Sequence, residues 1–154
     1  MTEIAAPRLE EFGPVTIAGL GQRYTQETSP GIPALWQRFV PYLDKIAGQT
    51  NGKTYGVETP LGNGTFEYLC GVEVSAALAV PAEFSRTNLP SQKYAVFPHG
   101  GYISSIRETW DHIWTVWRPA TAAKIAKTPR LEIYSASFNA ARPGGVEIWI
   151  PIQD

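Results

Sequence analysis

Two apolar stripes of helical period, each preceded by one strand-like segment and followed by two, constrain this chain more than any other feature of its sequence. Ile32, Leu35, Trp36, Phe39 and Leu43 recur at spacings of three and four, with Ile46 following, and mark one face of a helix. Pro33 suits its first turn. Pro41 removes an amide donor and collides with the carbonyl four residues back, which predicts a kink or break near Phe39 and Val40. The second stripe, Ile103, Ile106, Trp110, Ile113, Trp114 and Trp117, is cleaner. It leaves Arg107, Glu108, Asp111 and Arg118 for the solvent side, and Pro119 marks its end.

The flanking segments read as strands. Residues 14–24 mix β-branched residues with glycine, with Gly19 and Gly21 as candidate bulge positions. Residues 53–59 and 65–74 are separated by Gly62-Asn63-Gly64, a hairpin signal because these residues tolerate positive φ. After the second stripe's own leading strand, 92–98, come 130–136 and 146–152. The two helices align in register, Leu35-Trp36, Phe39, Val40 and Leu43 against Thr109-Trp110, Ile113, Trp114 and Trp117. The expectation is an α+β fold. It consists of a duplicated β-α-β-β module with pseudo-two-fold symmetry, in which an antiparallel sheet carries helices on one side and a ligand groove on the other. One domain would span 1–154, with module one at about 9–76 and module two at about 84–154.

Composition removes several function classes. With 154 residues, 44% hydrophobic, the chain suffices for one core but is short for two. A formal charge of −1 gives no broad positive field, which argues against nucleic acid or a membrane surface as principal partner. Cys70 is the single cysteine and there are two histidines, so no internal disulfide, clustered metal site or cofactor is expected. No signal peptide or membrane span is read, and a reducing, cytoplasmic setting is expected. Cys70 lies in an apolar strand without a basic neighbour and reads as a packed side chain. What stands out is flat apolar surface: five Trp, seven Tyr and six Phe.

Strand alternation places some of these rings beside acids. Glu132 and Tyr134 share one face of their strand and Leu131 and Ile133 the other. Glu147 and Trp149 share a face in the last strand, opposite Val146, Ile148 and Ile150. If the Leu/Ile faces pack beneath the helices, Glu132, Tyr134, Glu147 and Trp149 project together from the uncovered side. Such a groove suits a flat or cationic organic molecule, because rings stack on it and a poorly solvated carboxylate complements its charge. Tyr68, Phe97 and Trp110 are further ligand-binding candidates. Which face of residues 65–74 lines the groove stays open.

The run 94–101 (YAVFPHGG), the Trp-rich helix ending Trp117-Arg118-Pro119, the segment 129–134 (PRLEIY) and the terminal 146–152 (VEIWIPI) resemble the GyrI-like, or AraC-type effector-binding, superfamily. The resemblance implies a freestanding cleft domain for lipophilic cations or drug-like compounds, with the family's central glutamate at Glu132 and a second acid and aromatic at Glu147 and Trp149. Members also occur fused to DNA-binding domains in transcription regulators. Some resemble hydrolases that open strained electrophilic rings of genotoxic compounds, for which Glu132 and Glu147 are the catalytic candidates, one as general base and the other as general acid. The gyrase-inhibitor branch adds a third class, a protein partner, with a homodimer as a further option.

Overall fold

The computed structural model describes residues 6–43, 46, 52–75, 80–121 and 124–153. Both apolar stripes are helical. The first forms α1, Ile32–Phe39, and stops where Pro41 requires, passing into a 3-10 turn, Val40–Tyr42. The second begins with a 3-10 turn, Ile103–Ser105, and becomes α2, Ile106–His112. It continues through a π-helical turn, Ile113–Trp117, and a last α turn, Arg118–Ala120, whose first positions accommodate Pro119.

The strands are β1 Arg8–Phe12, β2 Val15–Thr25, β3 Thr54–Gly62, β4 Thr65–Val74, β5 Ser85–Leu89, β6 Gln92–His99, β7 Lys124–Ile125, β8 Arg130–Tyr134 and β9 Val146–Gln153. Short β1, β5 and β7 carry too little apolar alternation to be read from the sequence. The module boundaries drawn at residues 76 and 154 lie outside the described residues. β2 contains no bulge: it keeps one register against β4 from Thr16↔Val74 to Thr25↔Thr65, and Gly19 lies opposite Gly71. A Cβ on Gly19 would stand 1.8 Å from the Cys70 carbonyl oxygen, so glycine there serves close backbone approach.

All pairings are antiparallel, in the order β1-β6-β9-β8-β3-β4-β2-β5, with β7 beside the end of β9. Around the central β8–β3 pair, β9 mirrors β4 and β6 mirrors β2. β1 leads into β2 but pairs with β6, and β5 leads into β6 but pairs with β2. Two residues join Phe12 to Val15, and two join Leu89 to Gln92. Links this short bring opposite ends of the sheet together, so the sheet must curl. Phe12 of β1 stacks on Tyr55 of β3 with centroids 6.3 Å apart, although four strand spacings would cover about 19 Å in a flat sheet.

The inside of the curl is filled by Ile17, Tyr55, Val57, Leu69, Leu131 and Trp149, among others, with Phe12 and Val15 packed against them. On the outer face, α1 covers Leu20, Tyr68, Cys70 and Val72, and α2 covers Ala95, Phe97, Ile148 and Ile150. Two expectations are thereby corrected. Leu131 and Ile133 pack inside the curl and not beneath the helices, and the face expected to carry an open groove is a filled core. The helices lie on the same face as Glu132.

Leu131 is fully buried. Leu131→Ala should lower the unfolding free energy by about 3 kcal/mol in urea titration, whereas Val116→Ala, on the exposed side of the helix, should stay within about 0.5 kcal/mol of wild type.

Candidate ligand-binding site

The site is built across the central strand pair. Gly56 of β3 lies opposite Glu132 of β8 and, on its other side, opposite Cys70 of β4. Having no side chain, Gly56 leaves the space that the Tyr68 ring crosses: a Cβ there would fall 2.1 Å from the Tyr68 hydroxyl and 3.1 Å from Glu132 Oε1. Tyr68 donates to Glu132 Oε1 at 2.6 Å, and Tyr134 donates to the same oxygen at 3.2 Å. From the helices come two indoles at corresponding positions. Trp110 of α2 donates Nε1–H to Glu132 Oε2 at 2.8 Å, and Trp36 of α1 donates to the Tyr68 hydroxyl at 3.1 Å.

Glu132 is 9% exposed. Its oxygens accept three hydrogen bonds from neutral groups, and among the described residues no cation pairs with it. Burying an ion without a counter-charge costs several kcal/mol, which charge-assisted hydrogen bonds offset in part. Rings enclose the group: Trp36 meets Tyr134 edge-on at 5.1 Å, Tyr134 meets Phe138 at 4.9 Å, and Trp110 stacks on Trp114 at 6.3 Å. Burial, followed by the Glu132 charge, raises the phenols of Tyr68 and Tyr134 well above their ordinary value, so both remain donors.

A second acid shares this face. Glu58, two residues beyond Gly56 on β3, accepts from Arg130 Nη1 at 3.2 Å. Burial raises its carboxyl above the ordinary value, Arg130 opposes this, and the charge of Glu132 adds to it. The Arg130 guanidinium in turn lies 4.7 Å over the Trp114 ring.

Of the residues predicted from sequence, Glu132, Tyr134, Tyr68 and Trp110 meet in one hydrogen-bonded group. Glu147 and Trp149 do not join them. Register pairs Glu132 with Ile148 and Ile133 with Glu147, and directly paired residues share a face, so Glu147 and Trp149 point into the curl. There Glu147 pairs with Arg8 and accepts from Trp149 Nε1 at 3.2 Å, while Trp149 packs on Phe12 and Tyr94. Phe97 is on the Glu132 face but wholly buried, edge-on to Trp117 at 5.0 Å. The Tyr68 face of β4 is the one turned to the site. Sequence reasoning passed over Gly56, Glu58 and the polar end of Trp36; a lone glycine within a strand pattern was a usable signal for the first. Cys70 is buried, and burial pushes its thiol up, as expected for a packed side chain.

An aromatic-walled acid between two helices on a curled antiparallel sheet defines an effector-binding domain of the GyrI-like class. The chain belongs to the Cass2 family of integron-associated effector binding proteins, whose family model matches residues 8–152. The transcriptional regulator BrlR of Pseudomonas aeruginosa is 38% identical over 130 residues, covering 81% of this chain and 48% of BrlR. The chain thus spans about half the length of that relative. The structure of SAV2435 bound to tetraphenylphosphonium matches with a TM-score of 0.80 at 20% identity, covering 99% of this chain and 94% of that one. The integron cassette protein VCH_CASS2, from the mobile metagenome of Vibrio cholerae, matches with a TM-score of 0.70 at 25% identity over 97% of both chains. Among the described residues no helix is long and apolar enough to cross a membrane.

The raised tyrosines make alkaline stability a readout of the site. A folded-state value above the unfolded one contributes stability that is present below about pH 10 and is lost as pH rises beyond it. Urea midpoints measured at pH 8 and pH 11 should therefore fall more in wild type than in the Tyr68→Phe/Tyr134→Phe double variant.

Proposed function

We propose that this domain binds a lipophilic, aromatic organic cation between α1 and α2, with Glu132 as the charged anchor and Trp36, Tyr68, Trp110 and Tyr134 as the enclosing surface. The observation that carries the proposal is a buried carboxylate supplied with hydrogen-bond donors but, among the described residues, with no cation paired to it. A ligand cation about 4 Å from that oxygen would gain about 4 kcal/mol at an effective dielectric near 20, and ring faces add cation–π attraction. The neutral donors keep the carboxylate oriented before the ligand arrives, so little reorganisation is needed. Entry requires one of the two indoles to turn aside, since the acid is nearly enclosed. That SAV2435 holds tetraphenylphosphonium on the same fold supports this choice of ligand class.

The mirrored strand order supports reading the chain as two β-α-β-β modules, about 9–76 and 84–154, related by a pseudo-two-fold axis at the β3–β8 pair. On that reading the cleft lies where the modules meet, and each contributes one tryptophan donor. A lone, buried cysteine suits a reducing compartment, and we place the domain in the cytoplasm. Ring-opening hydrolysis needs a second acid beside Glu132. Glu147 faces the other way, and Glu58 is already engaged by Arg130, so binding is the reading that the geometry supports.

Calorimetric titration with tetraphenylphosphonium should give saturable binding to the wild type, weakened tenfold or more by Glu132→Gln. Equal affinity in the two proteins would remove Glu132 from the role of anchor.

A further inference from the structure

Beside the acid site, and lined by the Trp114 ring that stacks on Trp110, lies a cavity of about 410 Å³ with the opposite charge. Trp114, Arg118, Lys127 and Arg130 line it, with Pro60 and Ile125 on its apolar side. The π-helical turn sets Trp114 against Arg130 of β8, and both arginines stack on the indole: the Arg130 guanidinium is 4.7 Å from the ring centroid and that of Arg118 is 5.6 Å from it. Arginines laid on an aromatic face keep their N–H edges free and have already lost much of their rotamer freedom. Arg130 spends one nitrogen on Glu58, and among the described residues its buried Nε has no partner. Among the described residues neither Arg118 nor Lys127 has an ion-pair partner. Among the described residues three cations therefore line the cavity and only Arg130 has an acid bonded to it, in a volume within the range of small-molecule sites.

We propose that this cavity is a second binding site, specific for an organic anion. Its carboxylate or phosphate head would be held by Arg118, Lys127 and Arg130, and its apolar part would lie against Pro60 and Ile125. The guanidinium edges present paired donors to a planar or tetrahedral oxyanion, and Lys127 adds a mobile charge at the mouth. The positive cluster excludes the cations that Glu132 attracts, so the two sites select ligands of opposite sign.

Calorimetric titration of the full chain with 1-naphthoate tests the proposal, and inorganic phosphate as a second titrant separates head-group binding from recognition of the whole molecule. Naphthoate should saturate at one site, weaken tenfold or more in Arg118→Ala and again in Lys127→Glu, and bind more weakly at 0.5 M than at 0.05 M salt. Phosphate should compete with naphthoate while binding more weakly than it does. Both side chains are exposed, so thermal unfolding of the two variants should match wild type and confirm that the fold persists. Non-saturable naphthoate heats, or equal affinity in wild type and both variants, would overturn the proposal; phosphate binding as tight as naphthoate would overturn its specificity for an organic anion.

Discussion

The carboxylate of Glu132 is held by a phenol from β4, a phenol from its own strand and an indole from α2, and by no positive charge among the described residues. The surrounding structure is arranged to keep it so. Gly56 clears the path for Tyr68, and Trp36 fixes the Tyr68 hydroxyl from the other helix. Helix placement, strand register and one missing side chain thus converge on two oxygen atoms. An apolar side chain at that position would spare the desolvation cost, so on the proposed reading the acid serves a ligand and not the stability of the fold.

The curl of the sheet makes this geometry available. Because β1 is tied to β2 by two residues yet pairs with β6, and β5 is tied to β6 by two residues yet pairs with β2, the sheet closes on its inner face and fills that side with Tyr55, Leu131, Trp149 and Phe12. The outer face then has to carry both helices, and the seam between them runs over the β3–β8 pair. Glu132 lies on that seam. An arginine-rich cavity lies beside it, lined by Trp114, whose ring stacks on Trp110, and Glu58 bonded to Arg130 links the two.

Much of this was legible in the sequence. The helices, the β3–β4 hairpin, the break before Pro41 and the placement of Glu132 and Tyr134 on one face of their strand all follow from period, alternation and turn chemistry. The face assignment of Glu147 and Trp149 did not, because alternation within a strand gives parity but not register against its neighbour, and a shift of one residue exchanges the faces. Trp149 looks like an exposed binding aromatic on a flat sheet and becomes core on a curled one. The curl itself depends on β1 and β5, whose short polar sequences, RLEEF and SRTNL, carry no strand signal strong enough to read alone. Glu58 was hidden for a related reason: its membership of the site comes from the β3–β8 pairing, a contact between residues far apart in the chain.

On the proposed reading Glu132 serves a ligand and is a burden to the fold. Urea unfolding of Glu132→Gln, with no ligand present, tests this most directly. Glutamine keeps the volume and can accept from Trp110 through its oxygen while donating to a tyrosine hydroxyl through its amide. If the carboxylate is an uncompensated buried charge, the variant should be as stable as wild type or more stable. A loss of more than about 2 kcal/mol would show instead that the charge itself holds the structure together and that Glu132 is a structural group.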